Sequence, residues 1–260
     1  MSLQRINEKY KKVKLVIFDL DGTLTESKSD MDSEMAELLE KLLDKKLVAI
    51  IGGGKYEMFQ KQLLSKLNIT GDKLINLFLF PTTATSFYKY DTGDWRQVYV
   101  LSFSEEEKKK IFDAFDKVFA ELNYHPEDVY QKVVEDRGSE ITFSALGQNA
   151  PLDIKKEWKE EQGELKLKIA EMLQSYLPDF EVRAAGYTSI DVTRKGIDKE
   201  YGIKQIKKHL GIEFGEMLFV GDALFPGGND YAASRTGVDC FKVKGPQDTK
   251  TLIKNLLKMF

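Results

Sequence analysis

An apolar run that stops at two acids constrains this chain most: Lys14-Leu15-Val16-Ile17-Phe18-Asp19-Leu20-Asp21-Gly22-Thr23-Leu24-Thr25. The run reads as a buried strand, and the Asp-Gly-Thr behind it as a turn leaving the strand. In an open α/β sheet, ligands bind outside the carboxyl ends of the strands, so Asp19 and Asp21 are expected to project together where a substrate reaches them. One carboxylate can attack phosphorus while the other gives a proton to the leaving oxygen and later takes one from water. Two acids this close repel unless a cation lies between them, and the hard, oxygen-seeking Mg²⁺ suits them. The competing reading is a plain Asp-Gly turn with no chemistry.

At 260 residues the chain is long enough for one large α/β domain, or for a core carrying a smaller inserted module. A formal net charge of −3, with Lys and Glu interleaved along predicted helices, leaves no basic face for nucleic acid or anionic membrane. A small phosphorylated molecule is the expected partner. The single cysteine, Cys240, excludes an internal disulfide, fits a reducing compartment and reads as a small hydrophobe in a strand. Met1 to Lys12 lacks the apolar core of a signal peptide, and no run approaches the ~20 apolar residues of a membrane span, so a cytoplasmic location is expected.

Along the chain, Asp30 to Lys45 places Met35, Leu38, Leu39, Leu42 and Leu43 at helical spacing, with Asp32 or Ser33 as N-cap. Leu47 to Ile51 reads as a second buried strand. It stops at Gly52-Gly53-Gly54-Lys55 before a helix through about Leu67, a succession that implies a parallel sheet. The three glycines can cradle phosphate through backbone N–H groups, or form a turn with no ligand. They are not a P-loop, which needs Gly at 49 and Ser or Thr at 56, where Ala49 and Tyr56 stand. Leu74 to Phe80 reads as a third strand. From about 84 to 192 the pattern changes to short strands (97–103, 140–146, 180–184, 188–192) and two longer helices (104–122, 153–176), an α+β module with a mostly antiparallel sheet.

Core character returns with a helix from Gly196-Ile197-Asp198-Lys199 to Leu210-Gly211. Lys199 sits in the first turn, where the helix dipole opposes a cation; beside a phosphorylated aspartate it would neutralise oxyanion charge, and otherwise it faces solvent. Glu216 to Asp222 repeats the opening theme of a buried strand tipped by an acid, and Pro226-Gly227-Gly228-Asn229-Asp230 follows with two more metal-friendly side chains. A strand at 239–243 and a helix from about Gln247 close the chain. The expected division is a core of 1–83 and 193–260 interrupted by a cap of 84–192.

Asp19-Leu20-Asp21-Gly22-Thr23, Lys199, and Gly221-Asp222 with Asn229-Asp230 together resemble the first, third and fourth motifs of the haloacid dehalogenase superfamily of phosphoryl-transfer enzymes. The resemblance implies a Rossmann-like parallel-sheet core with an inserted α+β cap. It makes Asp19 the nucleophile, Asp21 the general acid/base and Lys199 the charge stabiliser. Mg²⁺ would be held by Asp19, Asp222 and the main-chain oxygen of Asp21, with Asn229 and Asp230 supporting the shell.

Gly196-Ile197-Asp198-Lys199, Gly221 through Asp230 with its Pro-Gly-Gly insertion, and Arg137-Gly138-Ser139-Glu140-Ile141-Thr142-Phe143-Ser144 resemble, more narrowly, the eukaryotic-type phosphomannomutases. On that resemblance Ser189 and Asp191 bind sugar hydroxyls and Gly53 and Gly54 replace a missing second-motif hydroxyl; Arg137, Arg183 and Arg194 offer an anion clamp different from the family's own. Ser144 stands where those enzymes carry an arginine, and a later cap arginine has no counterpart. A mutase must grip its non-reacting phosphate and a phosphatase need not. Mg²⁺-dependent hydrolysis of a sugar phosphate through an aspartyl-phosphate is therefore the expected activity, with interconversion of mannose 1-phosphate and mannose 6-phosphate the alternative and a non-catalytic sensor a third reading. A cap-to-cap homodimer is one assembly the resemblance leaves open.

Overall fold

A computed structural model describes residues 10–26, 29–69, 71–125, 127, 130–147 and 149–259. The polar stretch 1–9 and the proline after His125 lie outside them. The chain forms two compact units, divided after Val100 and after Gly196.

In the first unit, β1 (Leu15–Asp19), β2 (Leu47–Ile51), β3 (Leu77–Phe80), β4 (Ser86–Asp91) and β5 (Asp94–Val100) join two later strands, β10 (Met217–Gly221) and β11 (Asp239–Lys242). The sheet order is β11-β10-β1-β2-β3-β4-β5. All neighbours from β11 to β3 are parallel, and β4 and β5 add an antiparallel hairpin at one edge. Alternate residues of β1 serve opposite faces, which is why the run is apolar without interruption. Val16 and Phe18 pack with helix α1 (Ser33–Leu43) and the C-terminal helix Pro246–Leu257, while Leu15 and Ile17 pack with Ile203 and Ile206 of the helix Lys199–Leu210. Asp32 caps α1, its Oδ1 accepting from Met35 N at 2.9 Å. Helix α2 (Tyr56–Gln62) is shorter than expected and passes into a 3₁₀ turn at Leu64–Lys66.

Two expectations are corrected here. Residues 74–76 do not begin the third strand: Gly71–Leu74 is a helical turn and β3 starts at Leu77. Residues 84–100 do not belong to the inserted module, and 193–196 do: β4 pairs with β3 and β5 with β4 in the first sheet, while Thr193 and Arg194 pair with β7 and β8 in the second.

The second unit has a four-stranded antiparallel sheet, ordered β6 (Val134–Asp136), β7 (Glu140–Ser144), β9 (Ser189–Arg194), β8 (Phe180–Ala185). Helices α3 (Glu105–Glu121) and α4 (Leu152–Tyr176) pack on one face around Phe115, Phe143, Ile169, Leu173, Ile190 and Val192. A full capping box starts α3: Glu107 N donates to Ser104 Oγ and Ser104 N to Glu107 Oε2. Helices α5 (Lys199–Leu210) and α6 (Pro246–Leu257) belong to the first unit. Cys240 is half-buried, and among the described residues no helix is long and apolar enough to cross a membrane.

Candidate active site

The carboxyl ends of β1 and β10, neighbours in the sheet, deliver their acids to one place. Asp19 ends β1, and Asp222 follows Gly221 at the end of β10. The fourth-motif loop brings back Asp230, which is fully buried. Ligand oxygens of Asp19, Asp222 and Asp230 all lie within 4.8 Å of one another. Lys199, on the first turn of α5, reaches in: its Nζ donates to Asp19 Oδ1 at 2.5 Å and to Ile51 O at 2.9 Å, and lies 3.4 Å from Asp230 Oδ1. Only 3% of the lysine is exposed, which removes the reading of a solvent-facing cation.

Two glycines permit this approach. Gly22 has φ +85, and a Cβ there would stand 2.7 Å from Asp222 Oδ2; a Cβ at Gly221 would collide with Asp230 Oδ2. Thr23 ties the two loops together by accepting from Asp222 N at 3.1 Å. Asp21, two residues beyond Asp19, is half-buried, and its carboxylate is not one of the three clustered acids. Asn229 is exposed.

Three carboxylates facing one ammonium leave excess negative charge in a buried site. Burial, helped by Asp230 and Asp222 and opposed by Lys199, pushes the Asp19 carboxyl up to about 7. Burial and Asp230 also raise Asp222. Burial alone would pull the Lys199 ammonium down, yet Asp19 and Asp230 hold it above the ordinary lysine value. Asp230 Oδ2 accepts from Ala223 N at 3.1 Å, whereas its buried Oδ1 has only the 3.4 Å ion-pair contact with Lys199. An all-oxygen donor set within 4.8 Å and three carboxylates set against one ammonium fit a hard divalent cation such as Mg²⁺.

The second-motif glycines are shaped by a feature not anticipated. Thr82, Thr83 and Ala84 take positive φ values of 48, 53 and 63 in succession. Their backbone grips the glycine loop, Thr82 N donating to Gly54 O and Thr83 N to Gly52 O, each at 2.9 Å. Gly53 is exposed and Gly54 half-buried.

A family model described as eukaryotic phosphomannomutase matches residues 35–259. The chain belongs to the eukaryotic phosphomannomutase family. A phosphomannomutase of Encephalitozoon cuniculi is 28% identical over 251 residues, covering 94% of this chain and 93% of the relative. Among solved structures, Plasmodium falciparum IMP-nucleotidase superposes with a TM-score of 0.74 at 19% identity, over 99% of this chain and 71% of that one. A haloacid dehalogenase-like hydrolase from Bacteroides thetaiotaomicron gives 0.65 at 14% identity, over 94% and 99%. These likenesses show the fold, an α/β parallel-sheet core with an additional β-rich sheet. As a phosphomannomutase-family chain it is a phosphoryl-transfer enzyme, and its fold is haloacid dehalogenase-like.

In this family member the expected sugar-binding residues lie together on the second unit's sheet, on the face away from its helices. Asp191 Oδ1 accepts from Thr142 Oγ1 at 2.9 Å, and Ser189 is half-buried opposite Ser144. The expected arginine clamp does not stand open. Arg137 donates from Nε to Glu135 Oε2 at 3.0 Å and from Nη1 to Glu140 Oε1 at 2.9 Å. Arg194 is forked onto Glu107, and Arg183 Nε lies 3.6 Å from Glu181. Ser144 is buried, its Oγ donating to Gly147 O at 3.2 Å. The electrostatic cost is visible at Glu140: burial, with Asp191 adding and Arg137 opposing, pushes its carboxyl up to about 7.

Proposed function

We propose that this enzyme moves a phosphoryl group between positions of a hexose phosphate, as a phosphomannomutase does, with Asp19 carrying the group in transit. The observation that supports this best is the buried contact of Lys199 Nζ with Asp19, 2.5 Å apart among Asp222 and Asp230. A carboxylate oxygen of Asp19 attacks phosphorus of a hexose bisphosphate. The bond from phosphorus to the sugar oxygen breaks, and Asp21 gives that oxygen its proton. In the return step a sugar hydroxyl loses its proton to Asp21 and attacks the phosphorus held on Asp19, which leaves as the free carboxylate. Lys199 holds Asp19 in place and offsets charge on the phosphoryl oxygens. Asp19, Asp222 and Asp230 would hold Mg²⁺, which would supply further charge neutralisation for those oxygens.

Family membership along nearly the whole chain favours mutase chemistry. One specific observation favours hydrolysis, with water replacing the sugar hydroxyl: Ser144 is buried and Arg137, Arg183 and Arg194 each face a carboxylate, so none of them stands free for a distal phosphate.

Phosphorus NMR with Mg²⁺, mannose 1-phosphate and a trace of mannose 1,6-bisphosphate separates the two. Mannose 6-phosphate appearing without inorganic phosphate is the expected result; inorganic phosphate accumulating in its place makes the enzyme a phosphatase. Asp19→Asn and chelation by EDTA should each lower either rate by about 10³-fold or more. Wild-type turnover in the Asp19→Asn variant would refute the nucleophile assignment.

A further inference from the structure

Arg235 lies in the 3₁₀ segment Tyr231–Thr236, which Asp230 begins. Its guanidinium spans two carboxylates, Nη2 pairing with Asp198 Oδ2 and Nε donating to Glu200 Oε2 at 2.6 Å. Those acids flank Lys199. Each gives Arg235 one oxygen and uses the other elsewhere. Asp198 Oδ1 caps α5 by accepting from Tyr201 N at 3.0 Å, and Glu200 Oε1 accepts from Lys204 Nζ at 2.6 Å. While Lys199 points inward to Asp19 and Asp230, its two neighbours thus point outward to a single planar fork. That fork ties the backbone that delivers the ammonium to the backbone that delivers the buried acid.

We infer that Arg235 is a positioning residue for phosphoryl transfer, fixing Lys199 and Asp230 relative to one another by bridging Asp198 and Glu200; the catalytic part of this inference rests on the reading of function above. The side chain is 51% exposed, and surface ion pairs add little to stability, so the effect lies in geometry. Displacement of a catalytic group by about 1 Å can cost on the order of 10²-fold in rate. A lysine at this position would keep the charge and lose the fork, since a point charge on a flexible stem cannot hold two carboxylates in fixed directions.

The test compares Arg235→Ala and Arg235→Lys with wild type by two readouts. The first needs no activity: hydrogen exchange at the amides of Tyr201, Gly202 and Ala233, which bond to Asp198 Oδ1, Asp198 O and Asp230 O. Exchange at these amides should quicken on the order of tenfold in both variants, with the midpoint of thermal unfolding moved by no more than a few degrees. The second is steady-state kinetics, where kcat should fall about 10- to 100-fold with KM within about threefold. Adding Arg235→Ala to an Asp198→Asn/Glu200→Gln background should change kcat by no more than about twofold, because the bridge is already lost. The inference is overturned if Lys restores kcat, if neither exchange nor kcat responds, or if the loss of activity is matched by a loss of global stability. Should wild type turn over no hexose phosphate, the functional reading fails on its own, and exchange still decides whether Arg235 holds the two segments.

Discussion

Glu140 shows how much a single residue can be held against its solution preference. Its oxygen Oε1 accepts from Arg137 at 2.9 Å and faces Thr142 Oγ1 at 3.0 Å, while Thr142 Oγ1 also faces Asp191 Oδ1 at 2.9 Å. One hydroxyl proton cannot serve both acids, so a protonated carboxyl relieves the cluster. With its carboxyl raised from near 4.5 to about 7, the folded state binds the proton more tightly than the unfolded state does. The contribution to stability is therefore greatest below about pH 4.5 and is lost as pH rises to about 7, by up to ~3 kcal/mol. Urea denaturation of wild type and Glu140→Gln from pH 4.5 to 8 should show wild type losing stability relative to the variant across that window. Parallel curves would contradict the assignment. Asp19 and Asp222 were legible in the sequence because each follows an apolar strand, Asp230 because its glycine-rich loop carries metal-friendly side chains, and Lys199 because a cation in a helix's first turn needs a reason. Arg235 was not legible, since nothing local distinguishes a surface arginine whose partners at 198 and 200 are supplied by folding.

At the scale of elements, the joins between them carry the second round of constraints. Glu107 caps α3 and also receives Arg194 of β9, at 2.9 Å from Nε and 2.6 Å from Nη2. Arg194, with the capping bonds of Ser104 adding, holds the Glu107 carboxyl down at about 2. A depressed carboxyl contributes its stability above its ordinary value and loses it as pH falls, here from about 4.5 to about 2. Glu107→Gln should cost about 1–2 kcal/mol at neutral pH and flatten acid unfolding of the second unit over that window, read by circular dichroism against wild type. In the first unit, Gly221→Ala drives a Cβ onto the buried Asp230 carboxylate and should cost about 1–3 kcal/mol in chemical denaturation together with most of the activity. The hydrophobic strands β1, β2 and β10 were readable because both of their faces are buried. Residues 84–100 were placed in the inserted module, with a strand read only over 97–103, because their partly exposed pattern suits either sheet; membership is settled by the pairing of β4 with β3 and of β5 with β4. Nothing in Pro81-Thr82-Thr83-Ala84 announces three left-handed residues in a row, a conformation that usually calls on glycine. Gripping the glycine loop through two backbone bonds is what holds it.

For the whole molecule, a parallel sheet with helices on both faces gathers acids at one edge, and a separate antiparallel sheet presents a polar face of its own. The family, the fold and the phosphoryl-transfer class follow from that arrangement and from the match over residues 35–259. In the proposed mechanism the phosphoryl group passes through Asp19, and everything else at the site serves that transfer. Acid quenching during turnover of mannose 1-phosphate with its bisphosphate, followed by peptide mapping in a mass spectrometer, tests it directly. The predicted result is one phosphoryl group on the peptide carrying Asp19, absent from Asp19→Asn and released by base. A phosphoryl group found on another residue, or steady turnover with Asp19 never modified, would contradict it.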